Sequence, residues 1–487
     1  MIDLKLSQSA SGEMLAKSGV DGTPLAEDFR TAALPPTQGS DRRVLLKGGT
    51  IISMDPAVGD FITGDLLIEG SKIAAVGANL EATATVVDAS DTIVIPGLVD
   101  AHRHTWSSVF RRAIADADGG CYSHFADSLI PALREEDVYI ASMLCDVSSL
   151  YSGITCMLDH NHLSKTPAIT DAAIKGHFDS GLRVAYSYAP PRAGLSNPEH
   201  PGDVYRIKDR FFASEDQLVT LRLGTRLVSK NYALARELGL GITSDGVFGI
   251  KTPLRPNSSA ERLLEMAAAG ELGPDVTLIH GTGFSGPVMQ AMEDHGVCIV
   301  LAPTSDSSLR GLGDSVPPIQ GVIDHNMLDR TGISVDIEVA LSSDLFAQMR
   351  GIFTIQRVLA NRRWAAGDKD APEPMMVRDV LRMATIGGAR ANGLIDRIGT
   401  LTPGKEADIV MIRTDNINVG PLNNAVGTVV IGAGVDSVDA VFVGGRLRKW
   451  NGQLLGFNTP AIVEAAKASR DYLAAETGLW TMADIIA

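Results

Sequence analysis

Between about residues 95 and 395 the chain repeats one alternation eight times, a short apolar run followed by a helix-like stretch. The strand candidates are 93–98, 154–158, 183–188, 218–223, 240–244, 276–279, 297–301 and 332–335. Helical periodicity fills the gaps, as at 137–151, 229–238, 259–269 and 287–294. Successive parallel strands need a crossover of about a dozen residues or more, and a helix supplies it. Eight such units predict an α/β fold, a (β/α)8 TIM-type barrel. Active sites of such barrels sit at the C-terminal ends of the strands. The polar residues that follow each strand therefore carry the functional reading.

A chain of 487 residues is longer than one barrel needs. Short strands between glycine-containing turns run from residue 44 to about 92, and the same texture returns after Gly399, at 407–412 and 438–446. The simplest account is a small β-sandwich domain formed from both chain ends, with the barrel inserted into it. The predicted divisions are an N-terminal arm over 1–41, a sandwich from 42–94 plus 398–455, the barrel over 95–397, and a C-terminal helical segment over 456–487.

Composition narrows the function. A formal net charge of −15 argues against a nucleic acid or an anionic membrane as partner, because phosphate binding needs basic patches. No apolar run approaches the ~18 residues of a membrane span. Cys121, Cys145, Cys156 and Cys298 form no CxxC pair, which reads as reduced thiols in a cytoplasmic protein.

The sharpest motif is Pro96-Gly97-Leu98-Val99-Asp100-Ala101-His102-Arg103-His104. Residues i and i+2 of a strand point to one face, so His102 and His104 can reach one metal ion at a strand end. Strand two ends in a second His-x-His, His160 and His162; strand six ends in His280, and strand eight in Asp336. A divalent metal held by neutral imidazoles and a carboxylate, with one open position, lowers the pKa of water and polarises a carbonyl or imine. A carboxylate beside that water takes its proton and passes it to the leaving group. For His160 and His162 a loop hydrogen bond explains the sequence equally well. His124, His177, His200, His295 and His325 read as structural.

These motifs, with Ser152-Gly153-Ile154-Thr155, Leu278-Ile279-His280 and the tail Ile398-Gly399-Thr400-Leu401-Thr402-Pro403-Gly404-Lys405-Glu406-Ala407-Asp408, resemble the amidohydrolase superfamily. Their order is most similar to the cytosine deaminase and triazine chlorohydrolase branch, over about residues 42–455. The resemblance implies a distorted barrel with a terminal β-sandwich. It also implies one divalent metal ion: zinc first, with iron, manganese or cobalt as alternatives. The ligands carried over are His102, His104 and Asp336, with His280 beside the metal. It further implies a homo-oligomer. The departure is at strand five, where the family has a histidine followed three residues later by a catalytic glutamate. Here Asp245 stands in the histidine's place and Phe248 in the glutamate's. Asp245 can still ligate through oxygen, but Phe248 carries no proton. Asp336 then works alone, or His160 and His162 supply the acid, or the reaction is not a standard deamination.

The leading expectation is a metal-dependent hydrolase of a non-peptide C–N bond (amide, carbamate, amidine or heteroaryl) in a small molecule. In it His102, His104, Asp245 and Asp336 hold the metal, Asp336 is the base and His280 steadies developing negative charge. Trp106, Tyr188, Phe248, His160 and His162 are the expected pocket walls, suited to an aromatic or heteroaromatic substrate. The alternatives are a metal-dependent non-oxidative decarboxylase and a catalytically degenerate relative.

Overall fold

The computed structural model describes residues 42–192, 195–481 and 484. The arm expected over 1–41 lies outside the described residues.

Eight strands form one parallel sheet in strict chain order: Leu98–Arg103, Ile154–Asn161, Arg183–Tyr188, Val219–Gly224, Gly241–Val247, Val276–His280, Cys298–Leu301 and Thr331–Ile333. They are called barrel strands one to eight below. Most are buried along their whole length, as expected of strands covered on one side by helices and on the other by the barrel interior. The barrel closes where strand one meets the segment after strand eight. The Asp336 amide donates to the His102 carbonyl at 3.2 Å, and the His104 amide to the Asp336 carbonyl at 3.0 Å. Three of the expected metal ligands are thus stitched together by the closing seam itself.

A separate nine-stranded, largely antiparallel sheet is built from both ends of the described chain. It runs from Arg43–Ile51 to Thr92–Pro96 and from Ile409–Arg413 to Gln453–Leu454. Barrel strand three is tied to it by a buried bidentate ion pair, in which Arg183 Nε and Nη2 each donate to the Asp408 carboxylate at 2.9 Å. Paired, hydrogen-bonded charges of this kind hold a defined geometry.

One sequence expectation is corrected here. The run 93–98 is not a single barrel strand. Thr92–Pro96 belongs to the second sheet, Leu98–Arg103 to the barrel, and Gly97 is the passage between them. A Cβ on Gly97 would stand 1.9 Å from Thr155 Oγ1, so no larger residue passes there. Downstream, the Asp100 carboxylate accepts from Arg103 Nε at 2.7 Å, from the Val335 amide at 3.2 Å and from the His102 amide at 3.4 Å. The Pro-Gly-x-x-Asp spacing therefore serves to cross between sheets and then pin the His-x-His strand to its neighbour.

Behind the site, His177 donates from Nδ1 to Asp146 at 2.9 Å and from Nε2 to Asp159 at 3.1 Å. Asp159 in turn accepts from the amide of Thr105, the residue after His104. Burial alone would lower the His177 pKa, but Asp146 and Asp159 outweigh it and raise it to about 10. Its folded value lies above the unfolded one, near 6.5, so its contribution is complete below about pH 6.5 and is lost as pH rises toward 10. Unfolding free energy is expected to fall by on the order of a few kcal/mol over that window. Denaturant titrations at several pH values check this, and His177→Gln should flatten the slope.

Candidate metal centre

His102 lies in the last turn of the pleat of barrel strand one and is fully buried; His104 follows the strand. Asp245 lies in barrel strand five, His280 ends strand six, and Asp336 comes three residues after strand eight. Their side chains converge. His102 Nε2 is 3.3 Å from Asp336 Oδ1 and 3.9 Å from Asp245 Oδ1. His104 Nε2 is 3.5 Å from Asp245 Oδ2 and 3.7 Å from Asp336 Oδ1. His280 Nε2 is 3.4 Å from Asp245 Oδ1. Two overlapping trios, His102–His104–Asp245 and His102–His280–Asp336, have donor atoms within 4.8 Å of one another.

The donor set fits a cation. Both ring nitrogens of His102 and Oδ1 of Asp245 are buried without a hydrogen-bond partner among the described residues. Such orphaned polar atoms are costly unless something binds them. His104 Nδ1 donates to the His160 carbonyl at 2.9 Å, which leaves Nε2 as the free lone pair facing the carboxylates. A mixed imidazole and carboxylate set of this kind suits a divalent metal.

His280 is oriented differently. Its Nδ1 donates to Asp306 Oδ1 at 2.8 Å, and its ring stacks on Phe248 at 5.4 Å between centroids and 21° between planes. Burial opposes protonation of His280, but Asp306 and Asp245 outweigh burial and hold its pKa well above the usual value. Asp336 would be raised by burial, yet His102, His280 and His104 bring it down to about 2. Ser305 Oγ donates to its other oxygen. His280 and Asp336 both have positive φ, 78° and 69°, a backbone region sparsely used by residues other than glycine. Strain of this sort persists only where the surroundings hold it, and it clusters at functional sites.

A cavity of about 270 Å³ opens over this cluster. His104, His160, His162, Asp245, His280 and Asp336 line it. Three residues expected as its walls do not. Trp106 is fully buried behind it and donates from Nε1 to His162 Nε2 at 2.9 Å. Tyr188 is fully buried against His200, with ring centroids 4.9 Å apart. Phe248 backs His280 rather than facing the cavity. His160 and His162 are at the cavity; burial lowers His160 to about 3 and puts His162 well below its usual value, which disfavours the protonated form of each.

Residues passed over in the sequence also line the cavity: Tyr122, Asp127, Thr225, Arg226 and Arg255. Thr225 and Arg226 directly follow barrel strand four, so the strand-end rule could have found them. Tyr122 comes from the helix Gly119–Leu129 and Arg255 from the loop after strand five, where no spacing signals them.

Residues 257–448 match the model of the Amidohydrolase family, so the chain carries an amidohydrolase-family domain. That stretch holds His280 and Asp336 but not the His-x-His motif or Asp245. A 5-methylthioadenosine/S-adenosylhomocysteine deaminase of Caldicellulosiruptor saccharolyticus is 25% identical over 453 residues, 87% of this chain and 97% of the relative. A 5′-deoxyadenosine deaminase of Methanobrevibacter smithii is 27% identical over 461 residues, 89% of this chain and 99% of the relative. Among solved structures, a zinc-bound adenosine deaminase of Xanthomonas campestris superposes with a TM-score of 0.77 at 21% identity, covering 89% of this chain and 98% of that one. An atrazine chlorohydrolase mutant of Arthrobacter aurescens, complexed with zinc and atraton, gives 0.74 at 19% identity, covering 88% and 99%. These structures share the barrel fold.

Proposed function

We infer that the protein is a metal-dependent hydrolase that cleaves a C–N bond of a small molecule with water. The observation that carries this reading is the convergence of His104, Asp245 and Asp336 at one cavity, with His280 beside them and the fully buried His102 reaching the same cluster from behind. His102, His104, Asp245 and Asp336 would hold the cation, for which zinc is the first candidate because deaminase and chlorohydrolase structures of the same fold contain it. A divalent ion there would acidify water and polarise the scissile carbon.

The chain's own groups divide the remaining work. Asp336, ionised at neutral pH, takes a proton from the attacking water and delivers it to the departing nitrogen. His280, kept a donor by Asp306, hydrogen-bonds the oxygen or nitrogen on which negative charge grows. Besides Asp245 and Asp336, Asp127 is the one carboxylate lining the cavity among the described residues, and Arg192 pairs with it at 2.7 Å. One free carboxylate can serve as base and then acid in acyl transfer, whereas a heteroaryl amine also needs its ring nitrogen protonated. An amide or carbamate is therefore the favoured bond.

The test is a screen of zinc-loaded protein in ¹⁸O-labelled water. It sets aryl amides and carbamates against amino-substituted purines, pterins and triazines. One ¹⁸O in the carboxylic acid is expected from an aryl amide, and amine with an alcohol and carbon dioxide from a carbamate. Ammonia release confined to the second set would move the reading to deamination, and carbon dioxide release from an aryl carboxylate with no amine or ammonia set free would replace hydrolysis by decarboxylation. A cytoplasmic, homo-oligomeric enzyme is the accompanying proposal. No helix among the described residues is long and apolar enough to cross a membrane.

A further inference from the structure

Three arginines, Arg192, Arg226 and Arg255, line the cavity above the donor cluster of a chain whose net charge is −15. Arg192 is neutralised by Asp127. The guanidinium groups of Arg226 and Arg255 have no ion-pair or hydrogen-bond acceptor among the described residues, although 58 acidic residues are available to the fold. Charge bookkeeping sharpens the point: a divalent cation would be balanced by Asp245 and Asp336, which leaves two guanidinium charges over.

Arg255 is held in place by stacking. Its Cζ lies 4.6 Å from the Phe248 ring centroid, and Phe248 in turn stacks on His280. Its Nη1 lies 3.9 Å from where a Cβ of Gly246 would be, one residue from Asp245. Arg255, Phe248 and His280 thus form one column that ends at the metal centre. Guanidinium groups stack on aromatic faces and present a planar fork of donors. The column gives Phe248 a positive role, since the ring at the position of the absent glutamate is the platform for Arg255. Burial, and then the neighbouring Arg192 and Arg226, lower the Arg255 pKa, while Asp245 opposes them. Crowded like charges of this kind mark a place that an anion would relieve.

We propose that the substrate carries an oxyanion, a carboxylate or a phosphate, which Arg255 and Arg226 bind with Arg192 at the rim while the scissile bond lies over the donor cluster. The identity of the scissile bond rests on the hydrolase reading; the anion recess does not. The test is therefore a binding measurement. Isothermal titration of zinc-loaded protein uses benzoate, phenyl phosphate and neutral benzamide as probes. At least one anion is expected to bind tenfold or more tightly than benzamide, and the tighter of the two names the class. In Arg255→Gln, and separately in the exposed-site variant Arg226→Gln, the ratio of anion to benzamide affinity should fall about tenfold, the worth of one charge-assisted hydrogen bond. Equal binding of all three probes overturns the proposal. So does a ratio unchanged in both variants, which would mean the anions bind through the cation alone.

Discussion

Asp336→Asn is expected to lower kcat about 10³-fold, in the range lost with a general base, while the protein folds and keeps its cation. Such a loss corresponds to about 4 kcal/mol of transition-state stabilisation. Asp336 is the one cavity carboxylate that both faces the imidazoles and has a second oxygen, accepting from Ser305, with which to relay a proton. Its pKa of about 2 keeps it ionised and ready as a base. The backbone argument favours asparagine as the test: at a φ of 69° most residues are strained, but asparagine tolerates the left-handed region. With the amide oxygen turned to the donor cluster and the amide nitrogen donating to Ser305 Oγ, the geometry survives and the proton acceptor does not. Steady-state kinetics beside metal analysis check this. A variant with normal metal content and a kcat within threefold of the unmutated protein would remove Asp336 from proton transfer.

The second large effect is on the cation. Stripping it is expected to abolish turnover, and Asp245→Ala to weaken zinc binding about 100-fold or more, at least the loss seen when outer-shell partners of ligands are removed. Asp245 is the only donor here that lies within 4 Å of His102, His104 and His280 alike. Without a cation, its Oδ1 and both His102 nitrogens stay buried and unpaired. Asp245→His returns an imidazole to this place and should retain zinc. Competition with a chromophoric chelator measures both variants. An Asp245→Ala protein that binds zinc as tightly as the unmutated one would exclude Asp245 as a ligand.

The eightfold alternation and the histidine and aspartate positions were legible because strand ends and the His-x-His spacing are local properties of the chain. The division at Gly97 was not, because 92–96 and 98–103 are both apolar or buried runs and only the close approach of Thr155 separates them. The walls of the cavity were misread for a related reason. Barrel strand three is buried on both sides, so it shows no alternation that says which way Tyr188 faces. Trp106 sits on a short helical turn, where nearness to His104 in sequence says little about direction. Arg255 reaches the site from a loop and is aimed there by Phe248, a tertiary contact with no sequence period. Reading Phe248 only as a missing glutamate hid the platform it provides.

The account stands on a cation held by His102, His104, Asp245 and Asp336. Titrating zinc into chelator-stripped protein, with turnover of a substrate found in the screen followed at each addition, tests it most directly. Activity should be absent at the start, rise linearly and level off at one equivalent per chain. Full activity in the stripped protein, or a rise that needs a second equivalent, would contradict it.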